Sequence, residues 1–392
     1  MDYTFSKALA GMNGTATREI FKLTSKPEVI SFAGGLPAGD ALPVQQLSEI
    51  ASEFFYDPSA VRGMLQYSVT EGIPGFREVV LEQVKDLGII GQTVENVLIT
   101  SGGGQGLDLL CKAFLDPGDA VLVERPTFLG FLQTLNSYNA RTVGVEADEC
   151  GIDLADLEGK LLEYHPKLIY LIPTFSNPTG KTCPLERRKA IIELASRHGA
   201  IIMEDDPYGR LRFSGEAVAP MKAMDERGVV VYVSSFSKTI SPGLRCGFSI
   251  GPSEIIRKMT IGKQGVDLHT ATLSQHLIKR YIEKEFFLSN IKRSLPIYKE
   301  RKDAMMNAIK RYMPDSFKHT DPEGGLFIWG EFMDGTDTSA KFPFAIEKKV
   351  AYIQGEVFYA ENAKKNALRL NYSNESPERI EAGMKALGQA FS

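Results

Sequence analysis

Lys238 stands where a lysine can do covalent chemistry, because it follows a strongly apolar run, VVVYVSS (229–235). A lysine in a partly desolvated pocket has a lowered pKa and becomes a nucleophile for carbonyl carbon. Ser235, Ser237 and Arg245 lie close to it in the sequence. A lysine, an arginine and two serines together are suited to a phosphorylated carbonyl compound.

The same segment permits two other interpretations. Ser235-Phe236-Ser237-Lys238 matches S-x-x-K, with which serine acylases supply a serine nucleophile and a lysine base. Those enzymes also need K-T-G and S-D-N, and neither string occurs here. The structural alternative is a lysine that extends from a loop with its charged end in solvent.

A glycine-rich turn follows another apolar run. SGGGQG (101–106) comes directly after NVLIT (96–100) and opens a helical stretch. Glycines let the backbone approach an anion, and a helix N-terminus offers free N–H groups, so a phosphate is the expected ligand. The dinucleotide pattern G-x-G-x-x-G fails, although Glu124 lies where a ribose-binding acid would. A tight turn without any ligand is the alternative.

Two further polar clusters follow apolar runs. Asp205 lies in EDDPYGR (204–210), and Asn177 lies in TFSNPTG (174–180). Solvated strand ends and turns would explain both, and the five histidines have no spacing typical of a metal site. The four clusters nevertheless match the needs of pyridoxal phosphate: an anion site, a lysine for the aldehyde and a carboxylate for the ring nitrogen.

The elements that carry these clusters alternate between apolar runs and helical stretches. The runs are NVLIT (96–100), DAVLVE (119–124), RTVGVEA (141–147), KLIYLIP (167–173), AIIMED (200–205), VVVYVSS (229–235) and CGFSI (246–250). They are apolar on both faces, as strands of a parallel sheet covered by helices are. In such doubly wound α/β sheets ligands bind beyond the carboxyl ends of the strands, where all four clusters lie.

The rest of the chain predicts a second, smaller unit. Residues from about 253 to 313 have the pattern of charged amphipathic helices, one of which Pro296 should kink or end. Strand-like segments follow in GLFIWGEF (325–332), KVAYIQG (349–355) and ALRLNYS (367–373). We therefore predict a large doubly wound, mainly parallel domain over 46–285, a small α+β domain over 286–392, and an N-terminal segment, 1–45, that joins the small domain.

Composition excludes several classes of protein. The chain has 392 residues, 43% of them hydrophobic and 24% charged, which is typical of a folded globular protein. A net charge of −4 argues against a nucleic-acid partner, and no apolar run is long enough to span a membrane. The start, MDYTFSKALAG, lacks the apolar core of a secretory signal, and the four cysteines are scattered. These features predict a cytoplasmic protein.

Taken together, SNPTG, EDDPYG and SFSKTISPGLRCG resemble the fold-type I, class I/II aminotransferases that use pyridoxal phosphate. Within them the sequence is similar to the 2-aminoadipate and kynurenine aminotransferase branch. SFAGGLP (31–37), LQYSVTEGIPGFRE (65–78), DLHTATLSQ (267–275), PEGGLF (322–327) and LRLNYS (368–373) also match that branch. The resemblance covers nearly the whole chain.

The resemblance implies a role for each matching residue. Lys238 would form the Schiff base with the cofactor and move a proton, and Asp205 would pair with the pyridine nitrogen. Tyr208 and Asn177 would hydrogen-bond the phenolic oxygen of the ring. The phosphate would be bound by Ser235, Ser237, Arg245 and the backbone N–H groups of Gly103 and Gly104.

Substrate and subunit contacts are implied in the same way. Arg369, assisted by Asn177, would clamp the α-carboxylate of the substrate, with Gly35 beside it. Tyr67 would reach the phosphate in the other subunit, so that a homodimer shares its active sites. Arg18, in GTATREIFK, would meet a side-chain carboxylate or be a surface arginine.

Two positions depart from the branch. Gly103-Gly104 replaces a common Ser-Gln pair, which leaves only backbone contacts to the phosphate there and weakens cofactor retention. Phe128 stands where a tyrosine often stacks on the ring, and a phenylalanine can still stack.

The expected activity is amino-group transfer between an L-amino acid (2-aminoadipate, glutamate, aromatic or branched-chain) and a 2-oxo acid such as 2-oxoglutarate. Decarboxylation or β-elimination on the same scaffold is an alternative, because the reaction depends on which Cα bond stands perpendicular to the ring. A third possibility is the aminotransferase-like effector domain of some transcription regulators.

Overall fold

The computed structural model describes residues 3–10 and 28–392. The α-helices of these residues are α1 (Lys7–Ala10), α2 (Val44–Tyr56), α3 (Pro58–Met64), α4 (Phe76–Val84), α5 (Gly103–Phe114), α6 (Leu129–Ser137), α7 (Leu154–Tyr164), α8 (Leu185–His198), α9 (Ser253–Gln264), α10 (Thr272–Glu283), α11 (Phe286–Tyr312), α12 (Thr338–Glu347) and α13 (Pro377–Phe391).

The strands are β1 (Ile30–Ser31), β2 (Val97–Thr100), β3 (Ala120–Arg125), β4 (Arg141–Asp148), β5 (Gly151–Ile152), β6 (Leu168–Leu171), β7 (Ile201–Asp205), β8 (Val230–Ser235), β9 (Gly247–Ile250), β10 (Phe317–His319), β11 (Phe327–Phe332), β12 (Val350–Ala351), β13 (Ile353–Gln354) and β14 (Ala367–Asn371). Each of the seven apolar runs of the sequence overlaps one of the strands β2–β4 and β6–β9.

Eight strands form the large sheet, in the order β2-β9-β8-β7-β6-β3-β4-β5. The central pairs, from β4 through β3, β6 and β7 to β8, are parallel, whereas β9 is antiparallel to both of its neighbours and β5 is antiparallel to β4. The predicted α/β fold with a mainly parallel sheet is confirmed.

Both faces of the central strands of the large sheet are covered, which explains why a strand such as β6 has no polar face. In β6, Leu168 and Tyr170 belong to one hydrophobic cluster, and Ile169 and Leu171 belong to another. Successive side chains of a strand point to opposite faces, so an unbroken apolar run is what a doubly covered strand requires.

The small sheet is antiparallel, in the order β10-β11-β14-β13. The start of the chain joins it, because β1 pairs in parallel with β12 and Phe32 is fully buried in the same cluster as Leu368 and Leu370. The sequence did not predict β10, which has only three residues. The boundaries 1–45, 46–285 and 286–392 stay our proposal for the domains.

Pro296 does not end a helix, so that part of the prediction was wrong. It lies inside α11, which continues through it to Tyr312. An internal proline removes one backbone donor and costs about 3 kcal/mol. Packing at both ends of the helix offsets this cost, since Phe287 and Met305 are buried in two different hydrophobic clusters. Despite its length, neither α11 nor any other helix of the described ranges is apolar enough to cross a membrane.

Candidate active site

The polar clusters predicted from the sequence meet at one edge of the large sheet. Asp205 is the last residue of β7 and pairs with Val233 of the adjacent parallel strand β8. Lys238 follows the end of β8 by three residues, and buried Asn177 lies in the loop after β6. Because β6, β7 and β8 are parallel neighbours, their carboxyl ends open on one crevice.

Lys238 is partly buried and has no carboxylate partner among the described residues. Its Nζ donates a hydrogen bond to the carbonyl oxygen of Gly35 at 2.7 Å. Burial, together with the positive charges of Arg245 and Arg369, lowers the pKa of Lys238 to about 8. The amine is thus a usable nucleophile and base near neutral pH.

The two serines near Lys238, Ser235 and Ser237, are hydrogen-bonded to each other. Ser235 Oγ donates to Ser237 Oγ at 2.8 Å and accepts the backbone N–H of Ser237 at 3.0 Å. Within the described part of the chain no hydrogen bond joins Ser235 to Lys238. The serine–lysine pair required by the S-x-x-K interpretation is not formed.

Asp205 is a buried carboxyl group that accepts one hydrogen bond from Tyr170. Tyr170 Oη donates to Asp205 Oδ2 at 2.8 Å. Burial raises the pKa of Asp205 to about 7, and the neighbouring charge of Asp206 adds to the shift. A nearby cation, such as a protonated ring nitrogen, would favour the ionised form. Tyr170 was missed because it lies within an apolar run and has the pattern of a core residue.

Arg369 is a buried cation with part of its guanidinium unpaired. Nη1 donates to Asn177 Oδ1 at 2.7 Å and Nη2 to the carbonyl oxygen of Ala33 at 2.6 Å, whereas the buried Nε has no partner in the part of the chain that the structure describes. The rings of Phe327 and Phe358 lie 4.1 and 5.1 Å from the guanidinium carbon. Burial lowers the pKa of Arg369 to about 10, so the group stays charged at neutral pH.

Tyr208 lies beside Asn177 and Arg369, close to the end of β7. Asn177 Nδ2 donates to Tyr208 Oη at 3.4 Å, and the Tyr208 ring packs edge-to-face on Phe327 at 5.7 Å. Burial raises the pKa of Tyr208, and the hydroxyl therefore stays protonated and can act as a donor. The structure brings Asn177, Tyr208 and Arg369 together.

A buried arginine that the sequence analysis missed holds the loop of Asn177. Arg188, in α8, is fully buried and donates to the carbonyl oxygens of Cys183 and Pro173 at 2.8 Å each. It also donates to Thr174 Oγ1 at 2.8 Å. These acceptors lie at both ends of the loop, so Arg188 fixes the span that carries Asn177.

The glycine turn begins α5 and lies against Arg245. Gly102 precedes the helix with a φ of 88°, a conformation that favours glycine. A Cβ atom at Gly102 would lie 2.6 Å from Arg245 Nη2, and this nitrogen donates to the carbonyl oxygen of Ser101 at 3.3 Å. A guanidinium thus lies at the positive end of a helix, which is suited to a phosphate.

For two of the predicted site residues, Phe128 and Tyr67, the structure shows no hydrogen bond or ring contact with Lys238, Asp205 or Arg369 among the described residues. Phe128 is half-buried just before α6, and its ring lies against Gly130. Tyr67 is 79% exposed and packs edge-to-face on His269 at 5.8 Å. Arg18 lies outside the described residues.

Comparisons with known proteins decide the family. A family model, Aminotransferase class I and II, matches residues 27–387. The chain belongs to the class I and II aminotransferases. The resemblance found in its motifs is confirmed, and this aminotransferase uses pyridoxal phosphate as cofactor.

Similar proteins cover almost all of the aminotransferase. The aromatic-amino-acid aminotransferase 1 of Thermococcus litoralis is 41% identical, with 100% of this chain and 95% of that protein covered. The 2-aminoadipate transaminase of Thermus thermophilus is 39% identical, with 99% and 96% covered. The structure of Pyrococcus horikoshii kynurenine aminotransferase in complex with PMP matches with a TM-score of 0.94 at 39% identity, with 99% and 96% covered.

The residues of this aminotransferase fit the cofactor on structural grounds. Lys238 lacks an anionic partner within the described ranges, Asp205 is buried at the adjacent strand end, and Arg245 lies at the N-terminus of α5. The buried Nε of Arg369 has no acceptor among residues 3–10 and 28–392, which suits a carboxylate ligand. The crevice therefore has the chemical groups that pyridoxal phosphate and an amino acid need.

Proposed function

We propose that the aminotransferase transfers the amino group of an L-amino acid to a 2-oxo acid such as 2-oxoglutarate, with Arg369 as the carboxylate clamp. The unpaired, buried Nε of Arg369 carries this proposal. A carboxylate can accept from Nε and from a terminal nitrogen of the same guanidinium, which is the bidentate geometry that arginine favours. Lys238 donates a hydrogen bond to the carbonyl oxygen of Gly35, and Arg369 donates one to that of Ala33, two residues earlier. A substrate bound to the clamp would therefore lie near the amine.

Lys238 and Asp205 do the acid–base work in this proposal. Bound pyridoxal phosphate supplies a ring that accepts the electron pair left at Cα when its proton leaves. Lys238 would hold the cofactor through Nζ and, once released, would carry the proton at that atom. The Asp205 carboxylate would keep the ring nitrogen protonated, while Tyr170 holds the carboxylate in place.

The remaining residues bind and orient. Tyr208 and Asn177 would donate to the phenolic oxygen of the ring, and Phe128 would stack on the ring. Gly35 would lie beside the substrate. The phosphate would be held by Ser235, Ser237, Arg245 and the N–H groups of Gly103 and Gly104.

The substrate class follows from what surrounds the clamp. Phe327 and Phe358 pack against the Arg369 guanidinium, so the neighbouring surface is aromatic and apolar. This surface supports aromatic and branched-chain donors, and the name of the Thermococcus litoralis relative agrees with the first of these. 2-Aminoadipate is proposed from the name of the Thermus thermophilus relative. Glutamate is proposed as a second acidic donor. For acidic donors Arg18 is the candidate second cation.

A homodimer would complete the site. Leu65 and Tyr67 are strongly exposed, and Val266 and Leu268 are 51% and 43% exposed next to His269, which Tyr67 contacts. Apolar side chains grouped in this way usually mark a protein interface. We propose that a second copy covers them and that Tyr67 reaches the phosphate of that copy. Cytoplasmic location stays a prediction.

A donor panel tests the proposal. Purified enzyme would be assayed with acidic, aromatic and branched-chain L-amino acids against 2-oxoglutarate, beside Arg369→Gln and Lys238→Ala. We expect Lys238→Ala to be inactive, and Arg369→Gln to lose roughly 30-fold or more in kcat/KM because charge-assisted hydrogen bonds are lost. Unchanged kcat/KM in Arg369→Gln would contradict the proposed clamp.

A further inference from the structure

An ion pair between a buried lysine and a partly exposed aspartate lies behind the glycine turn at the start of α5. Lys263, in α9, is fully buried, and its Nζ donates to both carboxylate oxygens of Asp267, at 2.8 and 2.9 Å. The same Nζ donates to Gln105 Oε1 at 2.5 Å. A buried cation is costly unless it is paired and hydrogen-bonded, so these partners are held firmly in place.

The partners of Lys263 in turn hold both ends of the turn. Gln105 Oε1 accepts the backbone N–H of Ser101 at 2.8 Å. Asp267 Oδ2 accepts from Ser101 Oγ and from Gln105 Nε2, each at 2.8 Å. Ser101 precedes the three glycines and Gln105 follows them, so one charged cluster fixes the entry and the exit of the turn.

The turn itself has few other constraints. Residues 102–104 are consecutive glycines, and glycine has the greatest backbone freedom of any residue. A Cβ atom at Gly104 would meet nothing within 4 Å, and one at Gly103 would make only ordinary contacts, the nearest at 3.7 Å. Gly102 lies close to Arg245, and Gly247 closely approaches the backbone of Gly102 and Gly103. Side-chain packing at Gly103 and Gly104 is otherwise loose, so the hydrogen bonds at the two ends help to order the turn.

We infer that Lys263, acting through Asp267 and Gln105, is a positioning residue that orders the turn 102–104 and thereby sets how tightly the enzyme retains the phosphate group of its cofactor. The inference rests on the proposed function, which places the phosphate at this turn. It predicts a phosphate-specific effect, because Asp205 and Lys238, which serve the ring, lie at the ends of other strands. Lys263 is not a catalytic residue in this account.

The test compares two ligands of the apoenzyme. Equilibrium dissociation constants are measured by absorbance titration for pyridoxal phosphate and for pyridoxal, which lacks the phosphate, with Lys263→Met and the wild type. We expect Lys263→Met to bind pyridoxal phosphate about tenfold more weakly, since the hydrogen bonds that order the turn are lost. The dissociation constant for pyridoxal should stay within about twofold of the wild type, because the groups that face the ring are untouched.

Lys258→Met is the matched control. Lys258 is exposed on the same helix, so the same substitution there should change neither dissociation constant. Equal weakening of both ligands in Lys263→Met would show general damage and overturn the inference, as would unchanged binding of pyridoxal phosphate.

If Lys263→Met does not fold, the two dissociation constants, for pyridoxal phosphate and for pyridoxal, are measured with Asp267→Asn instead. It removes the counter-charge but leaves Gln105 Oε1 as an acceptor, and the Asp267 side chain is 27% exposed, so the fold tolerates it. A selective loss of phosphate-dependent binding supports the inference, and any other result contradicts it. Turnover of the wild type with an amino acid and a 2-oxo acid tests the proposed function separately.

Discussion

Arg369 Nη1 donates to Asn177 Oδ1 at 2.7 Å, and this bond joins the small sheet to the loop after β6 of the large sheet. The acceptor oxygen orients the guanidinium, while the amide nitrogen of the same side chain donates to Tyr208. Asn177 therefore links the proposed carboxylate clamp to Tyr208, which we propose to face the ring of the cofactor.

Asn177→Ala is expected to raise KM for amino acids of every class by a similar factor. The substitution leaves Nη1 of Arg369 buried without its acceptor, and the α-carboxylate that Arg369 would bind is common to all donors. We expect roughly a tenfold rise, corresponding to about one hydrogen bond to a charged group. Steady-state kinetics with an aromatic, a branched-chain and an acidic donor measure it.

A double variant is the control for this prediction. Asn177→Ala added to Arg369→Gln should cost less than it costs in the wild type, because the two side chains act together. Full additivity, or a KM change confined to one donor, would contradict the proposed link.

Lys238 should react as an amine with an apparent pKa near 8. An ordinary lysine with a pKa of 10.5 is only roughly 0.3% neutral at pH 8, whereas Lys238 should be about half neutral. Reductive methylation of the apoenzyme, followed by mass spectrometry across pH 6–11, would report the inflection. Arg245→Gln should move it upward, since the Arg245 charge helps to lower the pKa. An inflection near 10.5 in the wild type would refute this prediction.

Asp205→Asn should stabilise the apoenzyme more at pH 8 than at pH 4. Burial raises the pKa of Asp205 from 3.8 to about 7, so between these values the folded chain binds one more proton than the unfolded chain. The contribution of Asp205 to stability therefore falls as the pH rises from about 4 to about 7. Asparagine carries no proton to lose and still accepts from Tyr170.

Urea denaturation of both apoenzymes at several pH values measures this effect. The difference in unfolding free energy should grow by on the order of a few kcal/mol over that range. A difference that does not change with pH would show that Asp205 is not held neutral by burial.

Arg188→Met should destabilise the fold strongly. It leaves the buried carbonyl oxygens of Cys183 and Pro173 without their donor, and each unsatisfied group costs about 1–3 kcal/mol. Thermal or urea unfolding should show a loss of about 3 kcal/mol or more. Arg197→Met, an exposed arginine on the same helix, should change stability by no more than about 0.5 kcal/mol. Similar losses in the two variants would mean that the Arg188 bonds do not hold the loop.

Much of the fold could be predicted because burial on both faces of a sheet leaves a simple trace in sequence. The apolar runs located the strands, and the polar residues after them, such as Lys238 and Asp205, marked the crevice. The partners of these residues had no such trace. Gly35 and Ala33 act through carbonyl oxygens, which every residue has, so no residue type reveals the bond.

Other residues were hidden by their surroundings. Tyr170 lies in an apolar run, and its hydrogen bond to Asp205 can be inferred only when the register of β6 and β7 is known. Arg188 lies in a charged amphipathic helix, LERRKAIIELASRH, where a cation is expected to face water. Pro296 favours the end of a helix, but tertiary packing at both ends of α11 outweighs the local preference.

The carbonyls of Ala33 and Gly35 come from the beginning of the chain, whereas Arg369 comes from its last strand. During synthesis on a ribosome, the crevice consequently lacks the guanidinium of Arg369 until β14 has emerged, after the segments that carry Asp205 and Lys238. A nascent chain that stops before β14 contains Lys238 but lacks Arg369, the proposed clamp for the carboxylate of an amino acid. The proposed clamp is thus added only after every strand of the large sheet has been synthesised.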